Sequence, residues 1–396
     1  MANYVFISSW TKDAVLPKGF GIGQYEFDRE TGALKPVRMV NDTNRFSVLH
    51  LDQKRNILYT VEETADQPTM RCGGGGSVCA FRFNPATGEG RQISCAPTFC
   101  TNPAYLTLDQ TGRYLVVAHH ATHSYVTKIG RDHLGKYCPV VEFDDSLVEL
   151  FAVNEDGTIG ELLDVAKHSG YGPKEKQKNP HPHCAVMSPS GNLFAVCDKG
   201  NDGIYMYKID RDNRKIVACG TPYMTPPGTM PRYCVFHPTL PYFYCNCEGA
   251  DKVLAFRYDE EGRLDPLGSF EALTEENAPP AGTHYGQQAI CMHSSGYFLY
   301  DIVCGAEMVA VYQIDQNDGS LTLIQNQPIG YGWARGAALS QDGRFLLAMC
   351  CQGNKTVVFH VGDDGILCPT GHEYDHTAAA DAVFWTPCME GGCRPI

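Results

Sequence analysis

YEFDRETG (25–32), FRFNPATG (81–88), FAVNEDG (151–157), YKIDRDN (207–213), FRYDEEG (256–262), YQIDQNDG (312–319) and FHVGDDG (359–365) are seven versions of one phrase. In each, an aromatic-led strand runs into an acidic turn, usually with glycine, and then resumes. Successive copies start 47 to 70 residues apart. That spacing holds a four-stranded sheet and is too short for a separate domain. The count predicts an all-β, seven-bladed propeller.

A second element precedes each phrase. It reads SVLHLDQKRNILYTVEE (47–63), AYLTLDQTGRYLVVAHH (104–120), HCAVMSPSGNLFAVCDK (183–199), RYCVFHPTLPYFYCNCE (232–248), QAICMHSSGYFLYDIVC (288–304) and RGAALSQDGRFLLAMCC (335–351). Each is two short apolar strands about a tight turn of Pro, Gly, Asp or Ser, as a hairpin requires. The seventh copy is split. DAVFWTPC (381–388) supplies an inner strand and NYVFISSW (3–10) the next, so both chain ends close the last blade and leave no open sheet edge. The expectation is one closed domain over 1–396 without a linker. Two stretches break the rhythm: 121–146, read as an excursion within a blade, and KHSGYGPKEKQKNPHPH (167–183), a loop of the kind that carries function.

The chain is 43% hydrophobic with no apolar run long enough to cross a bilayer, and its net charge of −13 argues against nucleic acid or an anionic membrane as partner. MANYVFISSW lacks the basic segment and apolar core of a secretory signal. Most of the 18 cysteines stand singly in apolar strands, where a thiol behaves as a small hydrophobe. A reduced, cytoplasmic protein is expected, with Cys72/Cys79 and Cys388/Cys393 the pairs to test for redox or metal roles. Oligomeric state is not readable.

Inner strands of a propeller line its central channel, so residues at equal register form a ring. Five residues before each hairpin turn stand Ser47, Ala104, His183, Arg232, Gln288, Arg335 and Asp381. Eleven after it, on the neighbouring strand, stand Glu63, His120, Lys199, Glu248, Cys304 and Cys351. These charges border apolar runs, and together they can bind an anion, polarise a carbonyl and move a proton. The alternative is that they neutralise one another as structural ion pairs. His237 and His293 sit inside turns and are read as structural. His181 and His183 face one side of an extended strand; with Glu63 or His120 they make only a weak metal-ligand pattern, and no metal is assigned. No GxSxG elbow, phosphate loop or CxxC is present.

The stretch HSGYGPKEKQKNPHPHCAVMSPSGNLFAVCDKGNDGIYMYKI (168–209) resembles the lactonase family of seven-bladed propellers, in particular the bacterial 6-phosphogluconolactonases. It keeps most of that family's H-x-G-x-G-P…Q…P-H-x-H…S-P-x-G…D-x-G-x-D string. MPRYCVFHPTLPYFYCNCE (230–248) is similar to its P-R-x-x-x-F-H-P…N-E segment, and WARGAALSQDGRFLLA (333–348) to a repeat carrying Arg335. Fungal carboxymuconate lactonizing enzymes share the fold, with a His, an Arg and a Glu implicated at the places of His183, Arg232 and Glu248. There are departures: Cys304 stands where members often have Arg, D-L-G is D-K-G, and His119 and His120 are added to the rings. They touch the phosphate-bearing substrate more than the reaction class.

The resemblance implies hydrolysis of a sugar-acid lactone, a small anionic substrate, without a cofactor. His183 is the expected base for water. Arg232 is the oxyanion donor, and Glu248 orients the base or acts as one. Arg335 and Lys199 would hold an anionic tail, with His181, Gln288, Glu63, His120 and Asp381 completing the substrate ring. A lactonizing cycloisomerase and a non-catalytic binding propeller are the alternatives. Truncating His183 or Arg232 is expected to leave stability within about 1 kcal/mol, as for exposed polar residues.

Overall fold

The computed structural model describes residues 3–10, 19, 21–65, 74–280, 283 and 285–388. Seven antiparallel sheets follow one another along the chain, each running from an inner to an outer strand. The first blade spans 46–97, the second 103–167, the third 182–224, the fourth 231–271, the fifth 286–328 and the sixth 334–375. The last has the sheet order Leu34–Asn41, Ile22–Phe27, Asn3–Ser9, Ala379–Trp385, so its inner strand comes from the C-terminal part and the other three from the N-terminal part. Trp385 of that strand is fully buried and donates through its indole to Asn56 Oδ1 of the first blade at 2.9 Å, fastening the closure.

The repeated turn residues have a common task. In the acidic phrases Asp28, Asn84, Asp210, Asp259 and Asp315 each accept backbone N–H groups two to four residues on, capping the outer hairpin. In the inner hairpins Asp52 and Asp109 do the same, His237 and His293 do it through Nδ1, and Ser188 and Ser340 accept the N–H five residues on. The two histidines are therefore structural, as their place in the turns predicted. Between blades lie tightly filled apolar layers built from the alternating inward residues of both neighbours, for example Tyr59, Val61, Leu106, Leu115 and Phe151 between the first two.

The stretch 121–146 forms a separate two-stranded ribbon, Tyr125–Arg131 with Tyr137–Phe143, inserted between the second and third strands of the second blade. The cysteine reading needs a correction. Cys79 is bonded to its cross-strand partner Cys95, whereas Cys72 and Cys393 lie outside the described residues. Strand register brings Cys79 and Cys95 together, 16 positions apart, and a search for nearby pairs in sequence overlooks them. No described helix is long and apolar enough to cross a membrane.

Candidate active site at the channel mouth

Every inner strand begins with a break in register, and the predicted ring positions fall on it. The pairing skips between Pro182 and Cys184, Pro231 and Cys234, Gln287 and Ile290, and Ala334 and Gly336. It skips likewise between Phe46 and Leu49 and between Pro103 and Tyr105, and in the last blade between the partners of Ile7 and Ser9. His183, Arg232, Gln288, Arg335, Ser47, Ala104 and Asp381 are each left unpaired, together with Tyr233, Ala289, Val48 and Ala380 where the break spans two residues. A bulge releases a side chain from strict alternation and turns it toward the end of the strand, which is how a ring of functional groups is aimed into the channel mouth.

The second ring is tied to the first by the backbone. The N–H groups of His120, Lys199, Glu248 and Cys351 donate to the carbonyls of Asn102, His181, Met230 and Trp333. Each acceptor lies two residues before its blade's ring residue. Asn102, Met230 and Trp333 have φ between 50° and 56°, a conformation that asparagine adopts readily but that is disfavoured for Met and Trp.

The long motif at 168–202 supports this arrangement. Asp198 accepts from the His181 N–H at 2.6 Å and Gly200 N–H at 2.9 Å, and binds His168 Nδ1 at 2.7 Å. The other nitrogen of His168 meets Tyr207 Oη at 3.0 Å. Asp202 takes the Gln177 side chain at 2.9 Å and the N–H groups of Gly228 and Met230 at 2.7 and 2.8 Å. Gly200 has no alternative, since a Cβ there would lie 2.1 Å from the Asn179 carbonyl. The conspicuous string thus fixes the backbone on which His181, His183 and Arg232 stand.

Two charged poles face the channel. At the first, Glu248 Oε2 lies 2.9 Å from Lys199 Nζ and 3.0 Å from Arg232 Nε. The Arg232 Nε–H is not aimed along that line and has no directed acceptor, so the second contact is electrostatic. Arg232 Nη1 donates to the Gln288 carbonyl at 2.8 Å, and its guanidinium lies 4.6 Å from the Tyr233 ring centre. Burial would raise the Glu248 carboxyl, but Lys199 and Arg232 overcome it and hold it at about 2. Burial lowers the Lys199 ammonium, partly offset by Glu248. At the second pole, Arg335 Nη2 binds Glu63 Oε2 at 2.9 Å, and the guanidinium stacks 3.8 Å over Trp10.

Between the poles lies an imidazole cluster. His120 stacks on His181 at 4.6 Å and meets His183 edge-on at 5.1 Å; His123 touches both His120 and His181. His183 packs against Tyr233 at 5.4 Å, so the base candidate and the guanidinium share one aromatic floor. Its Nδ1 is buried without a hydrogen-bond partner, as is His181 Nε2, the other His181 nitrogen being bound to the His120 carbonyl. Burial, reinforced by Arg232 and Lys199, drives the His183 pKa well below its ordinary value. Asp381 accepts from Leu49 and Ala382 N–H, both at 2.9 Å, and burial raises it to about 7.

Three expectations change. His119 is turned away from the channel and paired with Glu149 at 3.0 Å, both fully buried; it follows strand alternation, whereas His120 begins the loop. Gln288 contributes its carbonyl to Arg232 and Asn246. His183 and Arg232 are each only 3% exposed, so the expectation of a mild stability effect on truncation, based on exposure, does not hold. Tyr233, Trp10, His123 and Asn246 were not singled out from sequence. Tyr233 was legible as the neighbour of a ring residue and Trp10 as the end of the split seventh copy, where its N–H donates to the Ala378 carbonyl as the second-ring residues do in other blades, but His123 lies outside any repeat. The imidazoles do not converge on one point; among the described residues the group whose ligand atoms do is Cys184, Cys197 and Cys234.

The family described as lactonase, 7-bladed beta-propeller, matches the chain over residues 4–384. Among curated relatives, the 6-phosphogluconolactonase of Bacillus subtilis is 24% identical over 362 residues, covering 91% of each chain. The 6-phosphogluconolactonase of Formosa agariphila is 24% identical over 90% of this chain and 91% of its own. The periplasmic gluconolactonase of Pseudomonas aeruginosa superposes with a TM-score of 0.82 at 23% identity, covering 98% and 100% of the two chains, a likeness of fold.

Proposed function

Since the chain belongs to the lactonase family of seven-bladed β-propellers, we propose that it opens a sugar-acid lactone of the 6-phosphogluconolactone type at the channel mouth, by attack of water. The observation that carries this reading is the juxtaposition on Tyr233 of a buried imidazole with an unpartnered nitrogen and a guanidinium tethered by Gln288 and Glu248.

Water oxygen adds to the lactone carbonyl carbon, and the carbonyl electron pair moves onto oxygen. His183 takes the proton released by the water. Arg232, always charged, donates to the new oxyanion in a site from which most water is excluded, where such a donor matters most. Collapse expels the ring oxygen, which receives the proton from His183, and a hydroxy acid leaves. Glu248 is engaged by Lys199 and Arg232 through one carboxylate oxygen, whereas the His183 Nδ1 has no hydrogen-bond partner. The part of Glu248 is to position Arg232 and Lys199. Arg335 receives the anionic end of the substrate and Lys199 adds positive charge to the substrate pocket beside Arg232, while His181, His120, Glu63, Gln288 and Asp381 shape the ring around it.

The test follows acid release from freshly prepared 6-phosphoglucono-δ-lactone and glucono-δ-lactone, for wild type, Arg232→Lys and His183→Gln. Opening above the spontaneous rate, lost in both variants while folding is retained, supports the assignment. A wild-type rate no faster than background on either lactone, or full activity in both variants, overturns it.

A further inference from the structure

Below the channel mouth lies a group of side chains that the lactone chemistry does not use. Cys184 and Cys197 are direct cross-strand partners on the inner and second strands of the third blade; Cys234 and Cys245 occupy the same two positions in the fourth. Because the blades are adjacent, the pairs face each other. The Sγ atoms of Cys184 and Cys234 are 3.5 Å apart, and those of Cys197 and Cys245 are 3.4 Å apart. The sulfurs of Cys184, Cys197 and Cys234 all lie within 4.8 Å of one another. None of the four residues is more than 2% exposed, and their surroundings are Leu193, Ala195, Ile204, Phe236, Phe243 and Phe256.

The other blades supply an internal control. The equivalent cross-strand pairs, the first after each bulge, are Leu49–Thr60, Tyr105–Ala118, Ile290–Asp301, Gly336–Met349 and Ala382–Ile7. Packing at this register is met by many residue combinations, and thiol pairs occur only in the two blades that meet. A cysteine used merely as a small hydrophobe has no reason to be matched by three others at one point.

We infer that these cysteines form a buried thiolate site for a soft d10 cation, Zn(II) on four thiolates or Cu(I) on the three that converge. Metal–sulfur bonds of about 2.3 Å put tetrahedral sulfurs about 3.8 Å apart and trigonal ones about 4.0 Å apart. The 3.5 and 3.4 Å contacts lie within a few tenths of an ångström of these. The three converging sulfurs need less than about an ångström, and Cys245 must swing in by about an ångström to complete a set of four. Soft sulfur ligands favour these ions over Mg(II) or Ca(II). Each thiol loses its proton to solvent as the ion binds, and there is no change of oxidation state. The ion bridges the third and fourth blades, those that carry His183 and Arg232, so its role is to lock two blades together. The inference stands apart from the lactonase reading.

The full-length protein, purified under reduction and incubated separately with Zn(II) and with Cu(I), then desalted, is assayed for metal by mass spectrometry. About one equivalent per chain of one of the two ions is expected, together with a rise in unfolding temperature. Co(II) substitution should give intense sulfur-to-metal charge-transfer bands. A Cys184→Ala/Cys234→Ala variant should lose the metal, and Cys350→Ala, a buried cysteine of the sixth blade, should keep it. Should the double variant fail to fold, the Co(II) spectrum of the wild type decides, by showing sulfur ligation or not. Less than about a tenth of an equivalent of either ion in folded, reduced protein overturns the inference. So does metal retained in the double variant, or a Cys184–Cys234 disulfide in its place.

Discussion

The two charged poles of the channel mouth are built from the same parts at the same register, yet they are not equivalent. At the Arg232 pole two cations share one carboxylate oxygen, leaving the trio with a net positive charge. At the Arg335 pole one guanidinium meets one carboxylate, and its open face is occupied by Trp10; Asp381, near that guanidinium and raised to about 7, is neutral or negative and so leaves no surplus of positive charge there. A developing oxyanion is favoured where positive charge is in surplus, and the compensated pole is suited to a substrate portion that does not change charge. Repeat symmetry supplied the two pairs. Lys199, the departure from symmetry, separates their roles.

The largest expected difference is in stability. Removing one partner from a buried ion pair costs about 3–5 kcal/mol because the other charge is stranded. Glu248→Gln leaves Lys199 and Arg232 facing each other and should fall in this range; Glu63→Gln, with Trp10 still covering Arg335, should cost markedly less. Urea unfolding of the two variants measures both, and equal losses would erase the distinction. The sign with pH follows from the lowered carboxyl. Its stabilisation is complete above about pH 4.5 and is lost as pH falls toward 2. Glu248→Gln should therefore lack part of the wild-type acid limb.

Next comes catalysis. Loss of an oxyanion donor lowers kcat by about 100- to 1,000-fold, the effect expected of Arg232→Lys, which keeps the charge but not the planar fork. Arg335→Lys should instead raise KM several-fold with kcat nearly unchanged, as loss of uniform binding does. Steady-state kinetics on the best lactone separates the cases, and a kcat collapse in both variants would mean that the poles act as one.

A smaller effect concerns Asp381, which faces Arg335, Tyr105, Tyr233 and Cys291 as well as the Leu49 and Ala382 N–H groups. Its folded pKa is raised, so between about pH 4 and 7 the folded chain holds a proton that the unfolded chain releases. Stability is drained as pH rises through that window and levels off above it. Asp381→Asn has no such proton and should gain about 1–2 kcal/mol relative to wild type from pH 4 to 8. A parallel pair of stability–pH curves would exclude this.

The contrast between the poles also marks what was legible in the sequence. The seven phrases established blade number and closure, because turn capping by Asp, Ser or His leaves a local signature. Counting from those turns found both rings, including Arg232 with Glu248 and Arg335 with Glu63. It did not find the bulges, since a break in pairing is a relation between two strands and leaves no mark on either alone. For the same reason Cys79–Cys95 and the facing cysteine pairs of the third and fourth blades escaped notice. His119 was misplaced by one residue, enough on a strand to exchange the channel for the blade interior. Trp10 follows the first strand of the chain and reaches Arg335 only through closure of the ring.

Trp10 gives the smallest and most discriminating test. Its ring lies 3.8 Å from the Arg335 guanidinium and is itself 5% exposed, a geometry in which a cation–π contact contributes about 0.5–2 kcal/mol. Trp10→Leu keeps apolar bulk and removes the π face. Arg335 then retains only Glu63 to fix its orientation, and the expected result is a two- to tenfold rise in KM with kcat unchanged. The Arg232 pole, resting on Tyr233, has no contact with Trp10 among the described residues. Were kcat to fall in Trp10→Leu as in Arg232→Lys, the reacting carbonyl would have to sit at the Arg335 end, and the assignment of the two poles would be reversed.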